Sequence, residues 1–279
     1  MRHGAECRLG RSGGFTGGWE RVIADSKHIV LEVRGRVGRI RLNHQPLNVL
    51  DIPLMRGVSA ALADLERRAD LSVIVFEGDA RGFSAGVDIK AHVPELVGEM
   101  LGSFHTVIRA VVASRKVTIA AVRGACLGGG AELASVCDMV YTAGDAWWAF
   151  PEIKLGCYPP VAVVALPALV GAKRAAELIL TGRQISGDEA AAIGLANHSA
   201  RAEELDSVVQ KAIDELCALS PAALAHAKKA LYAWDAIHFD KGLARAEKIY
   251  LEELISTEDA REGIMAFLEK RPARWKTEA

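Results

Sequence analysis

A run of three glycines followed by a glutamate is the stretch of this 279-residue chain best suited to chemistry. Gly128, Gly129 and Gly130 come after an apolar segment typical of a buried strand, and the residues that follow favour a helix. Glycine has no side chain, so a ligand can reach the main-chain N–H groups that the first turn of a helix leaves unpaired. These N–H groups form a binding site for a negatively charged atom. If the helix begins near Gly129, Glu132 lies roughly 4.5 Å along its axis on nearly the same face. The pattern indicates an anion-stabilising amide beside a proton-transferring carboxyl, although a packing turn before a solvated glutamate has the same sequence.

A second glutamate, Glu152, also follows a strand and a residue that restricts the backbone, here Pro151. Two carboxyls can work as acid and base when their surroundings keep one protonated and the other ionised. Proline followed by glutamate is also typical of an ordinary helix N-terminus, where a negative charge is favourable. The residues alone leave both interpretations of Glu152 open.

Residues 82–86 fit the G-x-S-x-G pattern of serine hydrolases, with Ser84 as the candidate nucleophile. Acids and histidines follow in the expected order: Asp138, Asp145, His198, His226 and His238. A nucleophile elbow joins a strand directly to a helix, whereas residues 77–81 intervene here and 87–89 show no clear helix start. The serine hydrolase is therefore an alternative, which a fluorophosphonate probe labelling Ser84 would support.

The sequence lacks the motifs that are typical of other cofactor sites and of metal sites. The glycines at 124–130 do not have dinucleotide-site spacing, the lysine of a phosphate-binding loop is missing, and the eight histidines form no zinc pattern. The cysteines are odd in number and have no C-x-x-C pairing, which predicts buried free thiols in a reducing compartment and a cytoplasmic protein. They are Cys7, Cys126, Cys137, Cys157 and Cys217. We expect no metal and no cofactor.

The charge balance and hydropathy exclude several kinds of partner. Thirty-four basic and thirty-five acidic residues leave a formal charge of −1 without long single-sign blocks, so we expect neither nucleic acid nor membrane as a partner. No apolar run reaches the roughly 18 residues of a membrane span. Residues 1–26 are glycine-rich without a continuous apolar run, which predicts a flexible extension rather than a secretory signal.

The apolar periodicity predicts strands alternating with helices, as in an α/β fold. Asp51 is expected to cap a helix with Pro53 in its first turn, and a second helix is expected over 94–113. Beyond Pro221, three or so amphipathic helices predict a helical unit at 220–279 that needs a partner surface in this chain or a neighbouring one. The expected strands are 29–34 and 37–42, paired as a hairpin around Gly35, then 72–77, 117–122, 137–142 and 146–150.

Three motifs in chain order resemble the signature of the crotonase (enoyl-CoA hydratase/isomerase) superfamily. They are FSAGVDIK at 83–90, GACLGGGAEL at 124–133 with Cys137 and Asp138 after it, and FPEIKLG at 150–156. Residues 43–50 are similar to the adenine-side loop of that family, and 267–271 to the end of its C-terminal helix. The resemblance runs from about residue 28 to the last residue.

This resemblance implies an α/β fold with a core of spiralling ββα units at 27–219. The helical region after it would serve oligomerisation and cover CoA, in a homotrimer or a dimer of trimers. The backbone N–H groups of Val87 and Gly129 would hold the thioester oxygen, and Glu132 and Glu152 would flank a water. The other residues expected to contact the acyl-CoA are Leu47, Asn48, Ala85, Asp88, Ile89, Lys90, Gly128, Tyr158, Phe267 and Lys270.

The presence of both glutamates implies hydration of a 2-enoyl thioester, with CoA as part of the substrate and no separate cofactor. Relatives that isomerise or hydrolyse commonly keep one of the two, so an isomerase or acyl-CoA hydrolase using chiefly Glu152 is the alternative inside the superfamily. We assign activation of the water to Glu132 and protonation of Cα to Glu152.

Two segments depart from the usual family pattern. His44 and Gln45 stand where relatives have Arg-Pro, which puts the nearby CoA phosphate contacts in doubt. The glycine-rich run that ordinary hydratases carry after the second glutamate is replaced by residues 157–164, which include two prolines and stiffen the pocket wall. This segment, with residues 46–52, is similar to the cyclohexa-1,5-diene-1-carbonyl-CoA hydratases, so a cyclic dienoyl-CoA is the leading expected substrate.

Overall fold

The computed structural model describes residues 18–22, 28–79, 81–232 and 235–275. Most of the extension predicted at 1–26, with Cys7, lies outside the described residues. The strands are β1 (Glu20–Val22), β2 (Ile29–Arg34), β3 (Val37–Leu42), β4 (Val73–Glu77), β5 (Gly82–Ser84), β6 (Val117–Val122), β7 (Ala125–Leu127), β8 (Met139–Ala143), β9 (Trp147–Ala149), β10 (Ile185–Ser186) and β11 (His198–Ala200).

Helices fill most of the remaining described chain. They are α1 (Ile52–Arg67), α2 (Val97–Ala113), α3 (Gly129–Ser135), α4 (Pro160–Val170), α5 (Ala172–Thr181), α6 (Gly187–Ala192), α7 (Leu205–Cys217), α8 (Pro221–Tyr232), α9 (Asp235–Ile249) and α10 (Glu258–Leu268). Short 3-10 helices cover Ile89–His92 and Pro151–Leu155, and a π-helical turn covers Tyr250–Leu254.

Two sheets organise the core, and the chain visits them alternately. The larger sheet has the order β1-β2-β3-β4-β6-β8-β11, and the smaller one the order β10-β9-β7-β5. Each of β4, β6 and β8 in the larger sheet is followed by a short strand, β5, β7 or β9, in the smaller sheet and then by a helix. This repeated strand, strand, helix unit is the ββα spiral, so the predicted α/β fold class is confirmed.

The first hairpin and first helix form as the sequence predicts. Gly35 takes a left-handed conformation (φ 56°) in the turn, and β2 pairs antiparallel with β3. Asp51 caps α1 by accepting a hydrogen bond from the Leu54 amide at 2.8 Å, with Pro53 in the first turn. The apolar face of α1 is buried in the core, as its periodicity indicates.

Two predicted boundaries are wrong by a few residues, for identifiable reasons. Helix α2 begins at Val97 rather than at Pro94, because residues 94–96 form a turn after the 3-10 helix that Asp88 caps. That cap also corrects the expectation of no helix start near 87–89. Strand β8 begins at Met139 rather than at Cys137, because the Asp138 carboxylate takes the Thr118 amide of β6 at 2.7 Å in place of a strand carbonyl.

A buried ion pair joins the C-terminal helices to the sheet. Lys228 of α8 lies 2.7 Å from an Asp138 carboxylate oxygen and donates a second hydrogen bond to the Lys116 carbonyl at 2.9 Å. Lys228 is only 8% exposed, so this charge is withdrawn from water. Helix α8 starts at Pro221, next to the predicted domain boundary at 219/220, which stays a prediction.

Among the described residues, no helix has both the length and the apolarity that crossing a bilayer requires. In the same residues, histidine, cysteine and acidic side chains do not gather in a group of three or more suited to a metal ion. The four described cysteines are buried and free, as predicted.

Candidate active site

Three neighbouring strand ends bring the predicted chemical groups together. Strands β5, β7 and β9 are parallel neighbours in the smaller sheet, so their carboxyl ends lie along one edge. Val87 lies just beyond β5, Gly129 just beyond β7 and Glu152 just beyond β9. Ligands of open parallel sheets commonly bind at such an edge. Residues far apart in the sequence therefore meet at one place.

The Val87 amide is directed away from its neighbouring loop. The Leu50 amide donates to the Gly86 carbonyl at 2.9 Å, and the Asp88 amide donates to the Leu50 carbonyl at 3.3 Å. In such a parallel bridge, the residue between the two bonded positions points its own N–H to the opposite side. The Val87 N–H is thus available to a ligand.

The Gly129 amide belongs to the first turn of α3, whose earliest N–H groups have no partner within the helix. The turns that carry Val87 and Gly129 are in contact. A methyl group built on Gly129 would lie 2.6 Å from Val87 Cγ2, and one on Gly86, whose φ is 96°, would lie 2.9 Å from the Leu127 carbonyl oxygen beside Gly129. Glycine is therefore required at both turns for their close approach.

Glu132 is a buried carboxyl held at the N-terminus of another helix. One of its oxygens accepts hydrogen bonds from the Val161 and Ala162 amides, at 2.8 and 2.9 Å, in the first turn of α4. Burial raises the pKa of Glu132, and these two amides, which favour the charged form, oppose that rise, leaving the pKa at about 7. Near neutral pH this carboxyl can accept a proton.

The Glu152 carboxyl has fewer hydrogen-bond partners than the Glu132 carboxyl. Its Oε2 is buried and has no hydrogen-bond partner among the described residues. Burial, and then the negative charge of Glu132, raise the pKa of Glu152 well above its ordinary value. A methyl group on Gly128 would lie 2.5 Å from Glu152 Oε1, so the glycine makes room for the carboxyl. Of the two carboxyls, Glu152 is therefore the one whose surroundings more strongly favour the protonated form.

Two adjoining cavities surround this pair. The smaller, about 70 Å³, is lined by both glutamates, Gly128, Gly129, Tyr158 and Tyr250. The larger, about 650 Å³, shares several wall residues with it and opens beside the end of α10. Its wall includes predicted contact residues and three basic side chains. These are Leu47, Asp88, Lys90, Lys154, Phe267 and Arg271. Ala85, Val87 and Ile89 line both cavities.

Two predicted contact residues do not line either cavity. Asn48 is 1% exposed, and its side-chain amide donates to the Gly82 and Phe83 carbonyls at 3.1 and 3.2 Å. It therefore holds its loop against β5. Lys270 is exposed in the turn after α10. Their contact with a ligand stays a prediction.

The geometry of Ser84 is that of a structural residue and does not fit the serine hydrolase alternative. Its side chain is fully buried, and the hydroxyl donates to the Asn48 carbonyl at 2.7 Å and accepts from the Gly86 amide at 3.1 Å. It thus shapes the turn that carries Val87. None of the histidines proposed as its partners lines the cavity at the strand ends.

Sequence reasoning missed several groups at this site. Proline at the start of α4 is a typical first helical residue, so Pro160 could have signalled a helix N-terminus able to hold Glu132. Tyr250 and the apolar side chains of Met100 and Phe104 enter the wall from distant helices. Their positions depend on the tertiary fold, and no local pattern marks them.

The fold and site together define the family. Residues 32–278 match the enoyl-CoA hydratase/isomerase family, and the chain belongs to it. Cyclohexa-1,5-dienecarbonyl-CoA hydratase from Thauera aromatica is 34% identical to the chain over 247 residues, which are 88% of this chain and 95% of that protein. Mitochondrial methylglutaconyl-CoA hydratase from Mus musculus is 35% identical, over 83% of this chain and 76% of the mouse protein.

A solved structure gives the same result. The crystal structure of an enoyl-CoA hydratase/isomerase from Xanthobacter autotrophicus superposes with a TM-score of 0.80 at 30% identity. The match covers 90% of this chain and 99% of that one. The chain therefore shares both the sequence pattern and the three-dimensional arrangement of this family.

Proposed function

We propose that this protein is an enoyl-CoA hydratase that adds water across the 2,3-double bond of an acyl-CoA thioester. The observation that carries the proposal is the pair of buried carboxyls in one cavity, one held by amides that favour its charge and the other kept protonated. Beside them, the Val87 and Gly129 amides provide two hydrogen-bond donors for a carbonyl oxygen. Basic side chains in the adjoining cavity suit the phosphates of CoA.

The reaction can be written with these groups. Glu132 takes a proton from the water as its oxygen bonds to Cβ, the electrons of the double bond move toward the thioester, and Glu152 delivers its proton to Cα. Negative charge that develops on the thioester oxygen is met by the two amides, and one such donor is worth about 10²–10³ in rate. Positioned acid and base groups add about 10²–10⁴. The chemistry calls for no group beyond these residues and the CoA of the substrate.

For the acyl group we propose a compact one, and a cyclic dienoyl group as its leading member. The smaller cavity is closed by two tyrosines and by Pro159 and Pro160, which leave little room for a long chain. The similarity to the Thauera hydratase supports the same choice.

For the assembly and compartment we propose a cytoplasmic homotrimer or dimer of trimers. Leucines on outer helices support an assembly: Leu180 of α5 is 67% exposed and Leu231 of α8 is 70% exposed. Buried free thiols suit a reducing compartment.

The test is a substrate panel followed at the enoyl-thioester absorbance. The panel contains crotonyl-CoA, a branched enoyl-CoA and the cyclic dienoyl-CoA, with saturated acyl-CoA and 3-enoyl-CoA as substrates for hydrolysis and isomerisation. We expect hydration, with the highest kcat/KM on the cyclic substrate. Turnover of only the 3-enoyl-CoA, or only thioester cleavage, would overturn the hydratase proposal.

A further inference from the structure

Two buried polar atoms in the smaller cavity are left without hydrogen-bond partners among the described residues. They are Glu152 Oε2 and the Tyr250 hydroxyl. Tyr250 is 1% exposed, so bulk water does not satisfy its hydroxyl. An unpaired buried donor is costly, and such exceptions call for a ligand or an ordered water. Both residues line the cavity in which the proposed reaction takes place.

Tyr250 enters this cavity from an irregular point of the C-terminal helices. It opens the π-helical turn that follows α9, and such turns occur frequently at functional sites. Its hydroxyl lies near the Cys157 thiol, a weak hydrogen-bonding group, and near Glu152. Burial raises the pKa of Tyr250 above its ordinary range, so the hydroxyl keeps its proton and can donate it in a hydrogen bond.

The neighbouring tyrosine, Tyr158, has a hydroxyl with a hydrogen-bond partner in the protein. The Tyr158 hydroxyl donates to the Ala246 carbonyl of α9 at 2.5 Å. The two tyrosine rings meet edge to face, with centroids 5.4 Å apart. Of two tyrosines packed together in one wall, one therefore ties two elements of the fold, and the other has only the weakly hydrogen-bonding Cys157 thiol beside its hydroxyl.

We propose that the Tyr250 hydroxyl hydrogen-bonds the oxygen atom that is added to Cβ, first as water and then as the 3-hydroxyl group of the product. This proposal rests on the proposed function. The water loses one proton to Glu132, its oxygen bonds to Cβ, the double bond breaks, and Cα receives its proton from Glu152. Tyr250 gains and loses no proton. Its role is to hold the oxygen in line with Cβ while the bond forms.

The experiment compares two reactions of Tyr250→Phe in the full chain. Hydration of an enoyl-CoA needs the added oxygen, whereas exchange of the Cα protons of a saturated acyl-CoA in D₂O needs thioester binding and a carboxyl but no added water. Loss of one hydrogen bond to a reacting oxygen predicts a fall in hydration kcat of about 10- to 100-fold. We expect KM to stay within about threefold and the exchange rate to be retained.

Tyr141→Phe is the matched control, since Tyr141 lines neither cavity and its hydroxyl lies 3.8 Å from Met139 Sδ. It should leave hydration kcat within about threefold. If Tyr250→Phe does not fold, Tyr250→Met, whose flexible side chain fills irregular space, replaces it.

The outcomes separate the two proposals. Hydration within twofold of wild type in the folded Tyr250 variant, or an equal fall of hydration and exchange, would overturn the role of Tyr250. Absence of hydration by the wild-type enzyme on every enoyl-CoA of the panel would instead overturn the proposed function.

Discussion

Asp138 and the Glu132–Glu152 pair are acids largely withdrawn from water and close together in the sequence, with opposite surroundings. Asp138 accepts hydrogen bonds from the Thr118 amide and hydroxyl at 2.7 and 3.0 Å and pairs with Lys228 at 2.7 Å. Neither glutamate forms an ion pair with any cation in the described part of the chain, and Glu152 Oε2 has no partner there. Hydrogen bonds and an ion pair therefore compensate the charge of Asp138, whereas no cation among the described residues accompanies the two glutamates.

This difference in the partners of the carboxyls separates a site that stabilises the fold from a site that can react. A buried charge whose partners are all present fixes the elements that it joins, here β6, β8 and α8, and removing one partner is costly. A buried acid without such partners has a displaced pKa, which is the condition for proton transfer near neutral pH. The same physical feature, a carboxyl withdrawn from water, thus serves two purposes that depend on what surrounds it.

The largest expected effect on the hydration rate follows from replacing either glutamate of the Glu132–Glu152 pair by glutamine. Glu132→Gln and Glu152→Gln should each lower hydration kcat by about 10²–10⁴ because each removes a proton-transfer group. Neither should lower the melting temperature appreciably, since an amide of the same shape needs no ionisation inside the protein. Rates at the enoyl-thioester absorbance and thermal melts measure both quantities, and a rate near wild type for both variants would refute the assignment.

Removing the cation of the compensated cluster should have the reverse result. Lys228→Met leaves the Asp138 carboxylate buried without its partner, and we expect a loss of about 3–5 kcal/mol in the free energy of unfolding. The kcat of the folded fraction should be unchanged, because Lys228 lies outside both cavities of the site. Urea unfolding and active-site titration distinguish these effects; a large fall in kcat without a loss of stability would contradict the comparison.

The smallest effect is in the pH dependence of stability. In the folded protein the pKa values of Glu132 and Glu152 lie above the ordinary glutamate pKa of 4.5, so the native state holds protons that the unfolded chain releases. Their stabilising contribution is complete below about pH 4.5 and is lost as the pH rises through about 7 for Glu132. The free energy of unfolding should fall by at most about 1.4 kcal/mol per pH unit for each such proton.

Urea unfolding between pH 5 and pH 8 measures this loss. The double variant Glu132→Gln, Glu152→Gln serves as the control, because it has no proton to release at these positions. The difference between wild type and double variant should change across this range, and parallel pH profiles would show that the pKa values are not displaced.

Local patterns predicted the long elements and the two glutamates. The hairpin around Gly35, helix α1 and the start of α3 depend on caps, turns and periodicity that act within a few residues. The roles proposed for the glutamates follow from motifs that resemble those of the family. Strands β5 and β7, of three residues each, are too short to give a periodic signal, and local patterns predict neither.

The remaining features depend on contacts between distant residues. The amides that hold Glu132 come from α4, and Tyr250 enters the cavity wall from the turn after α9. Neither of these contacts can be inferred from the spacing of residues in the sequence, because both depend on how the helices pack on the edge of the sheet.

The spiral delivers the proposed reacting groups from three successive turns of chain: β5 leads to Val87, β7 to Gly129 and Glu132, and β9 to Glu152. Because the hydrogen-bonded sheet sets the spacing between turns, a change within one turn alters the groups that this turn carries and leaves those of the other turns where they are. Such a scaffold can exchange one catalytic step for another by a few substitutions, and the chemistry of a descendant can diverge while the thioester is still held in the same place.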